Sequence, residues 1–206
     1  MKTKLYILAV IVLFLANTVA FAQFTNIAVT TNTRDQSETT IAISPLNSNY
    51  LLGAWNDFRS VYFAKPGYAF STDGGSTWND AVVTPPGYEY GFDPSVAFDK
   101  YGNAYYCYVA APDRVLGPIY VSRTTTFQPP FSWNHVQVST SDTLQDKPYM
   151  AVDNGGSHDG RIYVSWTDFS SGSKIKFAYS TDRGVSFSNA SYPWFLVGQS
   201  RYISIL

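Results

Sequence analysis

Two octapeptides, "STDGGSTW" at 71–78 and "STDRGVSF" at 180–187, put an aspartate in the same company twice, at Asp73 and at Asp182. Such an aspartate either acts on a substrate or holds a turn, and its neighbours decide which. Its carboxylate can accept hydrogen bonds from the N–H groups of its own turn. Gly75 and Gly184 supply a positive-φ position that a side chain would strain, and Trp78 and Phe187 each offer a large aromatic for burial. With Ser71 and Ser180 opening the two boxes, the set reads as a clasp. A calcium loop would need several carboxylates at alternate positions, and here there is one.

Other candidates for chemistry also recur. Glu38, Asp93 and Asp146 each stand just before an apolar run, and Asp57 and Asp168 each sit in a "W-x-D-F" quartet. A residue type repeated at one place in every copy points to scaffold, so these carboxylates are expected to hold loops and strand ends. His135 and His158 are far apart and show no zinc-ligand spacing, so neither a metal nor another cofactor is expected. Asp153 and Asp159 in "DNGGSHDG" could cup a cation, but the segment replaces a plain turn elsewhere and reads as an enlarged loop. Cys107, in "AYYCYV", is the single cysteine; it excludes an internal disulfide framework and reads as buried and inert.

The elements that must position these residues follow from a repeat. "ETTIAIS", "DPSVAFD" and "DKPYMAVD" align on Ile41-Ala42, Val96-Ala97 and Met150-Ala151, in two nearly equal steps that are each half the separation of the boxes. Each run leads through a Gly-, Asn-, Asp- or Pro-rich connector to a second strand ("YLLGAWNDF", "AYYCYVAAP", "RIYVSWTDF") and then a third ("VYFAKPGYAFS", "PIYVSR", "KIKFAYS"). "DAVVT" and "WNHVQVS" supply fourth strands, and no amphipathic helix of substantial length is evident. Four antiparallel strands per repeat of about 50 residues describes a propeller blade. The expected architecture is all-β, with blades over roughly 36–86, 91–140 and 144–197, the start of a fourth at 200–206, and the ring incomplete. In the second copy Thr124 takes the place of the box aspartate, predicting a longer and less pinned hairpin.

The boxes resemble the Asp-box, or bacterial neuraminidase repeat, S/T-x-D-x-G-x-T/S-W/F, of sialidases and their relatives. The resemblance covers most of the chain and implies a sialidase-type propeller whose boxes are structural and lie opposite the active face. That face is built by loops leading into the innermost strands and loops joining second to third strands: "TRDQSE", "NDFRS", "PGYEYGFD", "APDRVLG" and "SDTLQDK". Arg59, Glu89, Tyr90 and Arg114 are the substrate-binding candidates there, and Tyr88, Tyr90 and Phe92 would suit either stacking on a sugar or ordinary packing. Sialidases hold a substrate carboxylate with arginines and use an aspartate as acid/base. The resemblance therefore nominates Arg34, although no Ile-Pro follows it, and Asp57 as catalytic residues. It implies a carbohydrate or glycoprotein partner and either exo-sialidase-type hydrolysis or non-catalytic binding, with the remaining blades expected from outside this chain.

Bulk composition agrees. Aromatic residues make up 17% and charged residues 14% of the chain, a balance that suits packed strands. Residues 1–22 carry Lys2 and Lys4, an apolar run of about a dozen residues, too short to span a bilayer, and a small-x-small site at Ala20 and Ala22. Cleavage after Ala22, export to the extracellular space or cell surface, and no transmembrane segment are expected. Removing Lys2 and Lys4 leaves acidic residues in slight excess over basic ones. No basic stripe remains for nucleic acid.

Overall fold

The computed structural model describes residues 25–60, 63–84, 86–112, 115–139, 144–170 and 172–191. Among these residues every regular element is a β-strand, arranged as three antiparallel sheets in chain order. Blade 1 holds β1 (Gln36–Ile43), β2 (Leu51–Asp57), β3 (Lys65–Ser71) and β4 (Asn79–Val82), and blade 2 holds β5 (Tyr90–Phe98), β6 (Ala104–Ala111), β7 (Ile119–Thr124) and β8 (Asn134–Gln137). Blade 3 holds β9 (Gln145–Val152), β10 (Ile162–Asp168) and β11 (Lys174–Ser180), with an isolated bridge from Phe177 to Ser191 in the place of a fourth strand. Strand order within each sheet follows the chain, so β1, β5 and β9 are equivalent edges; β5 packs against both β1 and β9. This is the expected all-β propeller arrangement in three blades. No described helix is long and apolar enough to cross a membrane. The expected fourth-blade start at 200–206 and the N-terminal segment ending at Ala22 lie outside the described residues.

The core consists of two layers between blades, and β6 feeds both. Its even-numbered residues, Ala104, Tyr106, Tyr108 and Ala110, pack towards blade 1 with Leu52, Tyr68, Phe70 and Phe98. Its odd-numbered residues, Tyr105, Cys107 and Val109, pack towards blade 3 with Ile162, Val164 and Trp166. A strand buried on both faces must be apolar throughout, which is why "AYYCYVAA" shows no polar alternation. Each large aliphatic side chain buried here contributes about 1.5–3 kcal/mol. Burial also pushes the Cys107 thiol well above its ordinary pKa, leaving it inert. The outer face of blade 1 differs: Ile41 is 61% exposed, whereas its counterpart Val96, packed on blade 1, is 7% exposed.

The two boxes share a common set of hydrogen bonds. Ser71 Oγ donates to Asp73 Oδ1 at 2.8 Å and accepts the Gly75 N–H at 2.9 Å; Ser180 Oγ donates to Asp182 Oδ1 at 2.7 Å and accepts the Gly184 N–H at 2.8 Å. The Thr77 N–H reaches Asp73 Oδ1 and the Ser186 N–H reaches Asp182 Oδ1, both at 2.9 Å. Hydrogen bonds from Thr77 and Ser71 hold the Asp73 carboxyl down to about 2. Burial works against the Asp182 charge, and bonds from Ser186 and Ser180 outweigh it, again giving about 2.

Blade 2 corrects one expectation. Ser71 pairs with Leu51 and Ser180 with Ile162 at the first position of the second strand, and the residue so paired in blade 2, with Ala104, is Thr124. Thr124 thus holds the place of the box serine, not of the aspartate. Counting onward, Thr126 stands where the aspartate would be, and Trp133 closes the hairpin as Trp78 does, slightly later than in a box. Instead of a carboxylate clasp, this hairpin inserts Phe127, Phe131 and Trp133 among Tyr50, Tyr68, Phe70 and Phe98. Such edge-on and tilted aromatic pairs add about 0.5–1.5 kcal/mol each beyond their burial.

Candidate functional site

The face opposite the boxes is organised by a bulge repeated three times. In β1 the pairing passes from Ser37–Asn56 to Thr40–Ala54, in β5 from Phe92–Val109 to Ser95–Cys107, and in β9 from Asp146–Thr167 to Tyr149–Ser165. In each blade two residues of the first strand therefore oppose one of the second: Glu38 and Thr39 opposite Trp55, Asp93 and Pro94 opposite Tyr108, Lys147 and Pro148 opposite Trp166. A bulge leaves one residue out of the ladder, so proline is tolerated there. The leading residue is left-handed in all three, with φ of 55° at Glu38, 55° at Asp93 and 49° at Lys147. Glycine is the residue that takes such a position without strain. Here each is occupied by a charged side chain, at a cost of about 1–2 kcal/mol.

These three side chains meet. The Lys147 ammonium, on blade 3, forms an ion pair with the Glu38 carboxylate, on blade 1. Asp93 lies on the blade between them and accepts the Lys147 N–H at 3.3 Å, while its own N–H is bound by Asn56 Oδ1 at 2.8 Å. Asp93 is 8% exposed, whereas the side chains of Glu38 and Lys147 are 40% and 42% exposed. Burial, followed by the hydrogen bond and charge of Glu38, raises the Asp93 carboxyl to about 7. The same hydrogen bond from Asp93, then that from Lys147, lowers Glu38. The two carboxyls titrate as one coupled pair, which holds a shared proton until the pH rises to about 7. An acid and a base held side by side beneath an ammonium can donate to, or accept from, the hydroxyls and ether oxygens of a ligand.

The third member of the repeated set is a correction. Its position in the blade belongs to Lys147, not to Asp146, which lies one residue earlier in the paired ladder. The signal was present in the sequence: Pro94 and Pro148 interrupt runs that otherwise read as strands, and proline inside a strand marks a bulge.

The remaining sequence candidates occupy other places. Asp57 is fully buried and receives Trp55 Nε1 at 2.9 Å, the Arg59 N–H at 2.8 Å, Arg59 Nη2 at 2.7 Å and Asn32 Nδ2 at 3.0 Å. Burial opposes its charge, and the Arg59 and Trp55 bonds outweigh it, holding the carboxyl below its ordinary range. Gly67 makes the arrangement possible, since a Cβ there would stand 2.7 Å from both Trp55 Nε1 and Asp57 Cβ. In blade 3 the equivalent position is Lys176, 3.5 Å from Asp168, and Gln145 is inserted between Trp166 and Asp168. Both aspartates hold a strand end. Arg59 bridges Asp57 and Asp80, the latter at 2.6 Å.

Arg34 is exposed just ahead of β1, its carbonyl accepting from Gln36. Glu89 is exposed and 3.7 Å from Lys65. Tyr90 is half-buried, edge-on to Phe63 at 5.1 Å, and Tyr88 packs on Tyr120. Arg114 lies outside the described residues.

The loop from Asp153 to Gly160 is a clamp between blades. Asp153 accepts N–H groups from Gly155, Gly156 and His158 of its own loop, while Asp159 pairs with Lys100 at 2.7 Å and accepts the Tyr101 hydroxyl. His135 is bound to Ser122 at 2.7 Å between β7 and β8. No group of three or more His, Cys, Asp or Glu side chains is placed to hold a metal ion among the described residues.

No family model and no curated protein matches the chain. Solved structures do. A protein of unknown function from Dyadobacter fermentans aligns with a TM-score of 0.50 at 16% identity, covering 76% of this chain and 53% of that one. A glycosyl hydrolase from Bacteroides ovatus aligns with a TM-score of 0.48 at 14% identity, covering 79% and 50%. A structure from the GH130 family of mannoside phosphorylases aligns with a TM-score of 0.47 at 14% identity, covering 77% and 48%. This chain spans about half the length of these proteins. At such identities the likeness is one of fold alone.

Proposed function

We propose that this chain is part of an exported Asp-box propeller that binds or processes glycans at the face opposite its boxes. The observation that carries the reading is the convergence of Glu38, Asp93 and Lys147 from three blades, each on a left-handed bulge where glycine would fit better. Backbone strain kept at equivalent positions of three different blades, and spent on charged side chains, belongs to a functional face. Glycoside hydrolysis needs one carboxyl that holds its proton and one that does not, and Asp93 with Glu38 meets that need. Exo-sialidase-type chemistry is the catalytic form that the box resemblance implies, with Arg34 and Asp57 as its nominated residues; non-catalytic glycan binding is the other form. Further blades would pack on the exposed apolar face around Ile41 and Ile43.

The test is hydrolysis of a panel of fluorogenic glycosides, sialosides included, by the secreted full-length product. Glu38→Gln and Asp93→Asn are expected to reduce turnover by about 100-fold or more, the scale of lost acid/base catalysis. Unchanged turnover in both would remove the bulge cluster from the site, and an equal loss in Arg34→Ala alone would favour the sialidase form. Glycan binding without turnover of any substrate would select the non-catalytic form. Export is checked by finding Gln23 at the N-terminus of the protein in the medium.

A further inference from the structure

We propose that the bulge cluster is a subsite for a neutral sugar, with the Glu38 carboxylate and the Lys147 ammonium gripping two adjacent hydroxyls of one pyranose ring. The inference rests on the glycan reading above and narrows it. A carboxylate only accepts hydrogen bonds and an ammonium only donates them. Set side by side, they complement a vicinal diol, one hydroxyl donating to Glu38 while its neighbour accepts from Lys147, and both bonds are charge-assisted. Both side chains are about two-fifths exposed, so a ligand can reach them.

Charge balance decides against an acidic sugar at this subsite. Lys147 is neutralised by Glu38, and Asp93 and the half-buried Asp146 stand beside it. An incoming carboxylate would meet three carboxyl groups and one cation already paired. Arg59, on the same face, is held between Asp57 and Asp80. An anionic ligand needs uncompensated cations, as Arg–carboxylate recognition shows, and this cluster offers none.

The experiment is equilibrium binding to the full-length protein, followed by saturation-transfer NMR and calorimetry. The probes are methyl glycosides of glucose, galactose and mannose, their monodeoxy derivatives, and the methyl glycoside of N-acetylneuraminic acid. At least one neutral hexoside is expected to bind, with affinity reduced tenfold or more by Glu38→Gln, by Lys147→Met and by deletion of either paired hydroxyl. Lys147→Arg, which keeps the donor, is expected to stay within about threefold. Tighter binding of the sialoside than of every neutral hexoside would overturn the inference and leave the glycan reading standing. So would hexoside binding indifferent to both Glu38→Gln and Lys147→Met. Failure of both sugar classes to bind the wild-type protein would overturn the inference and the glycan reading together.

Discussion

The box face and the bulge face use repetition in opposite ways. At the boxes, blades 1 and 3 repeat side chains and backbone together: serine, aspartate, glycine and aromatic recur, and their hydrogen bonds match in partner and in length. At the bulges, three blades repeat the backbone alone, and its left-handed position carries Glu38, Asp93 and Lys147, three different side chains. Each box has two positive-φ residues, the second of them glycine in both (Gly75 and Gly184) and the first Gly74 in blade 1 but Arg183 in blade 3, whereas the bulges place no glycine at all. A structural clasp is satisfied by its own atoms and gains nothing from variation, whereas a site needs unlike groups at one place. Where a repeat protein keeps geometry but varies charge, the variation is the better pointer to function.

That contrast can be broken or sharpened by substitution. The largest effect is expected at Gly184, where a Cβ would meet Ile162 Cδ1 and a Tyr105 ring carbon at 3.2 Å at a φ of 79°. Gly184→Ala should cost about 2–4 kcal/mol from left-handed strain and core overpacking together. Gly74→Ala, whose Cβ would approach only Asn49 Oδ1 at 3.4 Å, should cost about 1 kcal/mol. Urea denaturation of the two variants measures the difference, and equal losses would deny that the blade 3 box is wedged into the core.

Next in size is Asp182→Ala, expected to lower stability by about 1–2 kcal/mol, for the bonds it accepts, while leaving glycan affinity unchanged. Lys147→Gly should do the reverse. It relieves a left-handed residue and should leave the protein as stable or more stable, by up to about 1 kcal/mol, while glycan affinity falls tenfold or more. A loss of stability there would make the cluster scaffold after all.

In pH dependence the two faces should show opposite signs. Asp73 and Asp182 are lowered from 3.8 to about 2, so the stability they contribute is complete above about pH 4 and is lost as pH falls through about 2. Asp93 is raised from 3.8 to about 7, so the folded protein binds the extra proton between those values and stability declines as pH rises from about 4 to 7. Denaturation midpoints across this range should fall towards neutrality in the wild type, and the slope should flatten in Asp93→Asn. A wild-type midpoint that rises over the same interval would contradict the shared proton.

Much of the scaffold was legible in advance. The blade period, the strand order and the clasp role of Asp73 and Asp182 are carried by local turn chemistry and apolar runs, which act between near neighbours. Cys107 could be read as inert because it stands in an unbroken apolar strand. The candidate site was less legible. Glu38 and Asp93 were visible as recurring carboxylates, yet recurrence argued for scaffold; Lys147, which the alignment on Met150-Ala151 sets level with Asp93, is not a carboxylate, so residue type pointed instead to Asp146, one position earlier. Asp57 resembled a catalytic acid in its placement, but its partners Asn32, Trp55 and Arg59 and the gap left by Gly67 emerge only when strands pair.

The amino-acid sequence alone determined that this chain forms strands of fixed order closed by glycine-bearing hairpins, because those choices depend on residues within a few positions of one another. Which charged groups share a proton, and which are consumed in holding the frame, was decided by the packing of one blade on the next. Glu38 and Lys147 belong to the first and third blades and touch across the middle one. The buried setting that keeps Asp93 protonated is made by neighbours no local pattern names.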